Sequence, residues 1–312
     1  MNIGIIGCGG MGTHHANVIS SMEDVTLAGV VDAIEEKATT LAKELGTEAY
    51  TDFHDLIPHV DCVMICTRPL ERMEIVLDCA SSGTHVFAEK PIALDLASAD
   101  RMIDATNRAG VIFMLGYVLR FTEPFRVIRD TLASGELGRL VTCWSRRYMP
   151  FDASSRWYGD QSQSGGVALD FASHDLDWLR WVGGPVRRVF GQVDRVRSGM
   201  QADDHVHALI TFEKGLGAVD CSWAPGIGGT SIGLVGSEGS MMVSDDNTIR
   251  KKVGDGEEEM IVPDTGETIQ EHFVRCVRDG SSPTVTGLDG REVLAMVLAI
   301  QESSRTGEAV AL

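Results

Sequence analysis

Gly7-Cys8-Gly9-Gly10-Met11-Gly12 follows the apolar run Ile3–Ile6 directly and matches the pattern G-x-G-x-x-G. Glycines in this pattern allow a tight strand-to-helix turn and let a pyrophosphate approach the backbone at the N-terminus of the helix. The stretch therefore predicts the first βα unit of a dinucleotide-binding domain. The cofactor contacts expected in it are Gly7, Gly9, Gly10, Met11 and Gly12.

A carboxylate at the end of the next predicted strand strengthens this prediction. Asp32 follows Gly12 by about 20 residues, where a carboxylate binds the adenosine ribose hydroxyls. The same charge repels the additional phosphate of NADP, and the next residue, Ala33, supplies no cation to compensate. We therefore expect NAD as the cofactor in preference to NADP.

From residue 1 to about 118, short β-branched runs alternate with longer helical stretches, which is the pattern of a parallel sheet with crossover helices. The predicted strands are 3–6, 26–31, 62–66, 85–88 and 111–115, and the predicted helices are 11–21, 35–45, 71–82 and 95–109. We expect an α/β fold that begins with an N-terminal Rossmann dinucleotide-binding domain over residues 1–119.

After Gly116 the rhythm changes, and residues 186–262 read as consecutive strands with glycine-bearing turns. Helices are predicted at 124–133, 170–182, 267–278 and 289–306, with a strand at 139–147. This half predicts a C-terminal α+β domain over residues 120–312 with an open, mostly antiparallel sheet.

The composition excludes several classes of partner. The chain has 312 residues and a formal charge of −18, so it lacks the basic surface that nucleic acid or an anionic membrane requires. No apolar run approaches the roughly 20 residues that cross a bilayer. The seven cysteines are scattered, no nearby His or Cys completes a metal-ligand spacing, and the N-terminus does not resemble a signal peptide. We expect a cytoplasmic protein with reduced cysteines and no bound metal.

Two groups of residues are candidates for the chemistry. Lys90, in Glu89-Lys90-Pro91, follows the predicted strand 85–88 at the edge where a cofactor binds. Asp170 and His174 follow Gly165-Gly166 and are four residues apart, so on one helix they share a face. A carboxylate beside an imidazole suits proton transfer from a hydroxyl, because histidine changes charge near neutral pH.

Further polar and aromatic residues lie close to these motifs in the sequence. Arg146, Arg147, Tyr148, Trp157 and Tyr158 bracket a long polar loop before Gly165-Gly166, and some of them are expected to contact substrate. His14 and His15 follow the glycine loop, and we expect them to be surface or interface groups.

Taken together, these motifs resemble the Gfo/Idh/MocA oxidoreductase family, which is named after glucose–fructose oxidoreductase, inositol dehydrogenase and a rhizopine-catabolism protein. The resemblance spans nearly the whole chain. It rests on the glycine fingerprint, on Glu89-Lys90-Pro91, on Gly-Gly-x-x-x-Asp-x-x-x-His from Gly165 to His174, and on Gly116-Tyr117 with Arg120-Phe121.

The resemblance implies an NAD(P)-dependent dehydrogenase or reductase that acts on the secondary alcohol or ketone of a sugar, sugar derivative or inositol. Lys90 and His174 would flank the reacting carbinol, with Asp170 beside them, His174 as the acid/base and Lys90 polarising the oxygen. Thr67, Glu89 and Lys90 join the expected cofactor contacts. The expected substrate contacts are Tyr117, Arg120, Arg147, Trp157 and His174. A homodimer or homotetramer, formed by packing the open second-domain sheets face to face, is implied as well.

One stretch departs from the family pattern: Arg68 and Arg72 stand where many members carry Thr-Pro-Asn and then a histidine. The departure concerns the contacts on the nicotinamide side. Two alternatives to a dehydrogenase remain, an NAD-dependent glycosidase that uses transient redox chemistry and a non-catalytic dinucleotide-binding regulator. A regulator has no need for Lys90, Asp170 and His174 together.

Overall fold

The computed structural model describes residues 1–154, 156–197, 199–224, 226–243, 248–262 and 266–312. Close contacts divide the chain into two compact units. The first comprises Met1–Gly116 and Glu267–Arg291, and the second comprises Tyr117–Gly266 and Glu292–Leu312. The proposed division into domains at residues 119 and 120 stays a prediction.

The strands within the described ranges are β1 (Asn2–Ile6), β2 (Thr26–Val31), β3 (Glu48–Tyr50), β4 (Cys62–Ile65), β5 (His85–Ala88), β6 (Phe113–Leu115), β7 (Leu140–Tyr148), β8 (Val186–Asp194), β9 (His205–Phe212), β10 (Leu216–Ser222), β11 (Gly229–Gly236), β12 (Gly239–Val243), β13 (Ile249–Val253), β14 (Glu259–Ile261) and β15 (Val310–Ala311). The α-helices are α1 (Gly10–Ser20), α2 (Glu35–Leu45), α3 (Phe53–Leu56), α4 (Pro69–Ser81), α5 (Leu96–Ala109), α6 (Glu123–Ala133), α7 (Gln161–Ser164), α8 (Gly166–Asp170), α9 (Ser173–Gly183), α10 (Ile269–Asp279) and α11 (Gly287–Thr306).

The first unit contains a parallel sheet in the order β3-β2-β1-β4-β5-β6. Its central strand β4 is buried along its whole length and purely apolar, as is typical of a parallel strand covered on both faces. The order reverses between β1 and β4, and ligands of such sheets bind at the carboxyl ends of the strands at this switch point. The prediction of an N-terminal Rossmann fold is confirmed.

The second unit contains a mixed sheet, which in the described part of the chain has the order β14-β13-β12-β11-β7-β10-β9-β8-β15. Only the pair β7 and β10 is parallel among these neighbours. The hydroxyl of Ser145 in β7 donates a hydrogen bond to Asp175 of α9, and this helix packs on one face of the sheet. Phe190 and Leu209 on the opposite face stay exposed. The predicted open, mostly antiparallel sheet is confirmed.

The prediction of a single helix over 170–182 is wrong, because α8 ends at Asp170 and α9 begins at Ser173. The carbonyl of Val167 accepts N–H groups from both Phe171, at 3.0 Å, and Ala172, at 2.9 Å. The second of these bonds spans five residues rather than four and shifts the helical register, as in a π-type turn. The short strands β3, β13, β14 and β15 were not predicted either.

Candidate active site

The glycine loop between β1 and α1 is shaped for close approach by a ligand. Gly7 has φ +100°, and a Cβ at Gly12 would lie 1.7 Å from the carbonyl oxygen of Gly7. A Cβ at Gly9 or Gly10 would meet no atom within 4 Å, so that side of the loop is open. No described side chain caps α1, and its first turn carries no acidic residue. Its N–H groups and its dipole are therefore suited to an anion such as a pyrophosphate.

Asp32 lies beside this loop, at the end of β2. Its carboxylate accepts N–H groups from Cys8 and Ile34, each at 2.9 Å. These two bonds fix the carboxylate against the glycine loop. The position suits binding of a ribose, and that role stays a prediction.

Thr67 lies just after β4, at the switch point. Its hydroxyl oxygen is buried and has no hydrogen-bond partner among the described residues. A buried hydroxyl without a partner costs free energy, which a ligand that hydrogen-bonds to it would offset. The glycine loop and the unpartnered hydroxyl of Thr67 together suit the binding of a dinucleotide.

Glu89 and Lys90 follow β5. The Glu89 side chain is turned inward and nearly buried, and its Oε1 lies 2.9 Å from Nε2 of His15. Nδ1 of His15 in turn lies 2.9 Å from Nε2 of Gln270. His15 is only 1% exposed, so the prediction that it is a surface or interface group is wrong. The expected contact of Glu89 with the cofactor stays a prediction.

The ionisation of Glu89 follows from this setting. Burial raises the pKa of its carboxyl group, but the hydrogen bond from His15 and the charges of His15, Lys90 and Arg72 outweigh burial and lower it below the usual value. Its other oxygen accepts the backbone N–H of Lys90 at 3.2 Å. Glu89 is thus held as a carboxylate that orients the backbone at Lys90, and the Lys90 side chain itself is half-buried.

Asp170 and His174 lie in the second unit. Asp170 is the last residue of α8 and His174 is the second residue of α9, so the prediction that both lie on one helix is wrong. Both side chains are half-buried. The ring of buried Tyr117 meets the ring of His174 edge-on, with 6.0 Å between centroids. The structure therefore brings the predicted substrate residue Tyr117 next to His174.

The turn before α8 is held by Asp203. Gly165 and Gly166 have φ +72° and +74°, and a Cβ at Gly166 would lie 2.2 Å from an oxygen of Asp203. The Asp203 carboxylate accepts the N–H of Ala168 at 3.3 Å. Burial raises the pKa of Asp203 from 3.8 to about 6. This aspartate was not singled out from the sequence, because only the fold brings it to the Gly-Gly turn.

Two of the predicted substrate residues form buried ion pairs with α9. Arg120 donates from Nε to Asp177 at 2.9 Å and from Nη2 at 2.6 Å. Arg147 donates from Nε and Nη2 to Asp175, both at 2.7 Å. Both aspartates are fully buried. The structure thus gives both arginines an anchoring role, and a direct contact of either with substrate stays a prediction.

The predicted substrate residue Trp157 belongs to an aromatic cluster. Its ring stacks on Tyr158 at 4.0 Å, and Tyr158 in turn lies edge-on to Trp223 and Phe151.

Within the described ranges, no three His, Cys, Asp or Glu side chains come together in a way that suits a metal ion. No helix in these ranges is long and apolar enough to cross a membrane.

Comparisons with known proteins agree with this geometry. The family model described as "Oxidoreductase family, NAD-binding Rossmann fold" matches residues 1–117, and the "GFO/IDH/MocA C-terminal domain" matches residues 125–242. The chain is 30% identical to myo-inositol 2-dehydrogenase of Thermotoga maritima, over 100% of this chain and 98% of that protein. It is 27% identical to scyllo-inositol 2-dehydrogenase (NAD(+)) of Bacillus subtilis, over 99% of this chain and 95% of that protein. The solved structure of a probable dehydrogenase from Thermotoga maritima matches with a TM-score of 0.86 and 27% identity, over 100% and 98%.

Proposed function

Because the chain belongs to the Gfo/Idh/MocA oxidoreductase family, we propose that it transfers a hydride between NAD and a secondary alcohol, or its ketone, in an inositol, sugar or sugar derivative. The observation that carries the proposal is similarity along the whole chain to inositol dehydrogenases, with Lys90, Asp170 and His174 all present. The first unit is an NAD-binding Rossmann fold.

NAD, when bound, supplies the nicotinamide that exchanges a hydride with the carbinol carbon. In the oxidative direction His174 takes the hydroxyl proton, and Lys90 donates a hydrogen bond to the same oxygen. Asp170 orients Lys90 or His174. Gly7, Gly9, Gly10, Met11 and Gly12 hold the pyrophosphate, Thr67 contacts the cofactor, and Asp32 binds the adenosine ribose and favours NAD over NADP.

The alternatives are less well supported. The relatives reported above are dehydrogenases by name, and no observation favours a glycosidase or a regulator. A glycosidase that uses transient redox chemistry would release product without net NADH. A regulator would bind NAD and turn over nothing.

The second unit supports association with further copies of the chain. On the face of the sheet away from α9, Phe190, Leu209, Ala218 and Trp144 are successive cross-strand neighbours. Leu209 is 56% exposed and Phe190 42%. Exposed contiguous apolar rows of this kind mark protein interfaces. We propose a homodimer or homotetramer through this face, and Leu209→Lys should shift the mass measured by light scattering towards the monomer.

The free state of all seven cysteines supports a cytoplasmic location.

The proposed reaction is tested by incubating the protein with NAD and a panel of inositols and sugars while the NADH absorbance band is followed. Aryl glycosides are tested in parallel. Net NADH with one or more polyols is the expected result. Cleavage of a glycoside without NADH, or cofactor binding with no turnover of any compound, would contradict it.

A further inference from the structure

Arg72 is a buried cation that has no role in the proposed reaction as described above. It is the fourth residue of α4 and only 1% exposed. A buried charge is costly unless hydrogen-bonding partners replace the lost water. Its partners should therefore show what it does for the molecule.

Three of these partners are backbone carbonyl groups near the switch point. Nη2 donates to the carbonyl of Thr67 at 2.7 Å. Nη1 donates to the carbonyls of Glu89 and Pro91. One planar guanidinium therefore ties the end of β4 to the segment that follows β5.

The carbonyls of Glu89 and Pro91 belong to the residues immediately before and after Lys90. The ladder of paired residues between β4 and β5 ends at Ile65 and Ala88. Lys90 thus lies beyond the ladder, and the guanidinium of Arg72 fixes the backbone on both sides of it.

A second link runs through Glu89. The Arg72 charge is among those that lower the pKa of Glu89, and the Glu89 carboxylate accepts the backbone N–H of Lys90. Arg72 therefore acts on the backbone of Lys90 both directly and through this carboxylate.

We infer that Arg72 is a positioning residue for Lys90, and that it fixes where the lysine amine lies relative to the substrate oxygen. The inference rests on the proposed function, in which Lys90 donates to that oxygen. Only arginine satisfies three carbonyls from one rigid fork, because lysine is a compact point charge on a flexible stem and histidine has two ring nitrogens.

The test compares Arg72→Lys and Arg72→Gln with Arg291→Lys as a matched control. Arg291 lies in the same unit and donates from Nε and Nη2 to Asp100 of α5. Both Arg72 variants should lower kcat by about 10- to 100-fold, since a misplacement of about 1 Å costs up to about 100-fold in rate. KM for the polyol and Kd for NAD should change less than about threefold. Arg291→Lys should leave all three constants at wild-type values.

A purely structural role is distinguished by combining Arg72→Lys with Lys90→Met. If Arg72 acts through Lys90, the substitution costs little further activity once the lysine is absent. An equal loss in both backgrounds would overturn the inference, as would wild-type kcat in folded Arg72→Lys. Should Arg72→Gln fail to fold, as judged by circular dichroism, Arg72→Lys, which keeps the charge, decides the question.

The failure of this inference is separable from the failure of the proposed function. Wild-type turnover in Lys90→Ala contradicts the proposed function. Slow turnover in Lys90→Ala together with wild-type turnover in Arg72→Lys contradicts only the role of Arg72.

Discussion

Glu89 and His15 are 74 positions apart in the chain, yet Oε1 of one lies 2.9 Å from Nε2 of the other in the interior of the first unit. This contact joins the helix that follows the glycine fingerprint to the segment that carries Lys90. The glycine loop with its helix α1 and the segment Glu89-Lys90-Pro91 are thus linked by a hydrogen bond.

Glu89→Gln should destabilise the protein by about 1–3 kcal/mol at pH 7, because it replaces a buried hydrogen-bonded carboxylate by a neutral group. The folded pKa of Glu89 is lowered, so its contribution is complete above the ordinary value of 4.5 and is lost as the pH falls through the folded value. The difference from wild type should therefore shrink below pH 4.5. Urea unfolding at several pH values measures it, with exposed Glu23→Gln as control. A stability difference between wild type and Glu89→Gln that does not change with pH would contradict the lowered pKa of Glu89.

Asp203 should show the opposite dependence. Its folded pKa is raised from 3.8 to about 6, so stability falls as the pH rises between these values and stays lower above them. Asp203→Asn removes this loss and should be more stable than wild type at pH 7 by up to about 3 kcal/mol, but not at pH 4. Thermal unfolding across this range is the measurement, and exposed Asp24→Asn is the control. Parallel stability curves for wild type and Asp203→Asn would refute the raised pKa.

Arg147→Met should destabilise the protein by about 3–5 kcal/mol, since it leaves the fully buried Asp175 carboxylate without its partner guanidinium. The neighbouring Arg146 is exposed, and Arg146→Met should change stability by less than about 0.5 kcal/mol. Chemical denaturation distinguishes the two variants. A stable Arg147→Met whose KM alone is raised would instead make Arg147 a substrate contact without an anchoring role.

Asp32→Ala should lower kcat/KM for NAD and raise the relative use of NADP, because the carboxylate that repels a 2′-phosphate is removed. We expect a change in preference of at least about tenfold, or about 1.4 kcal/mol. Asp32→Asn keeps an acceptor for the N–H of Cys8 and should show a smaller loss with NAD. Initial rates with both cofactors provide the test, and a wild-type enzyme that already prefers NADP would refute it.

The sequence predicted most of the strands and helices of the first unit, because its strands are short apolar runs that alternate with longer helical stretches. Strands β2 and β5 and helix α2 have the predicted bounds. The strand β3 escaped prediction since it is three residues long and mostly exposed. In the second unit, three of the five residues of β13 are charged, and β14 is only three residues long, so neither shows a clear apolar alternation.

The candidate site was predicted less completely. Spacing placed Asp170 and His174 on one helix, but the additional residue in the turn at Val167 breaks that helix in two. Local sequence also cannot show that His15 is buried, because its partners Glu89 and Gln270 come from distant segments. The roles of Asp203 and Arg72 depend on tertiary contacts in the same way.

Turnover of Lys90→Ala tests the central claim most directly, with kcat measured on the best polyol of the screen and Kd for NAD measured by fluorescence. The account predicts a loss of kcat by orders of magnitude, since the donor to the developing charge on the substrate oxygen is removed, with NAD affinity largely kept. A Lys90→Ala enzyme that oxidises the polyol at the wild-type rate would contradict it.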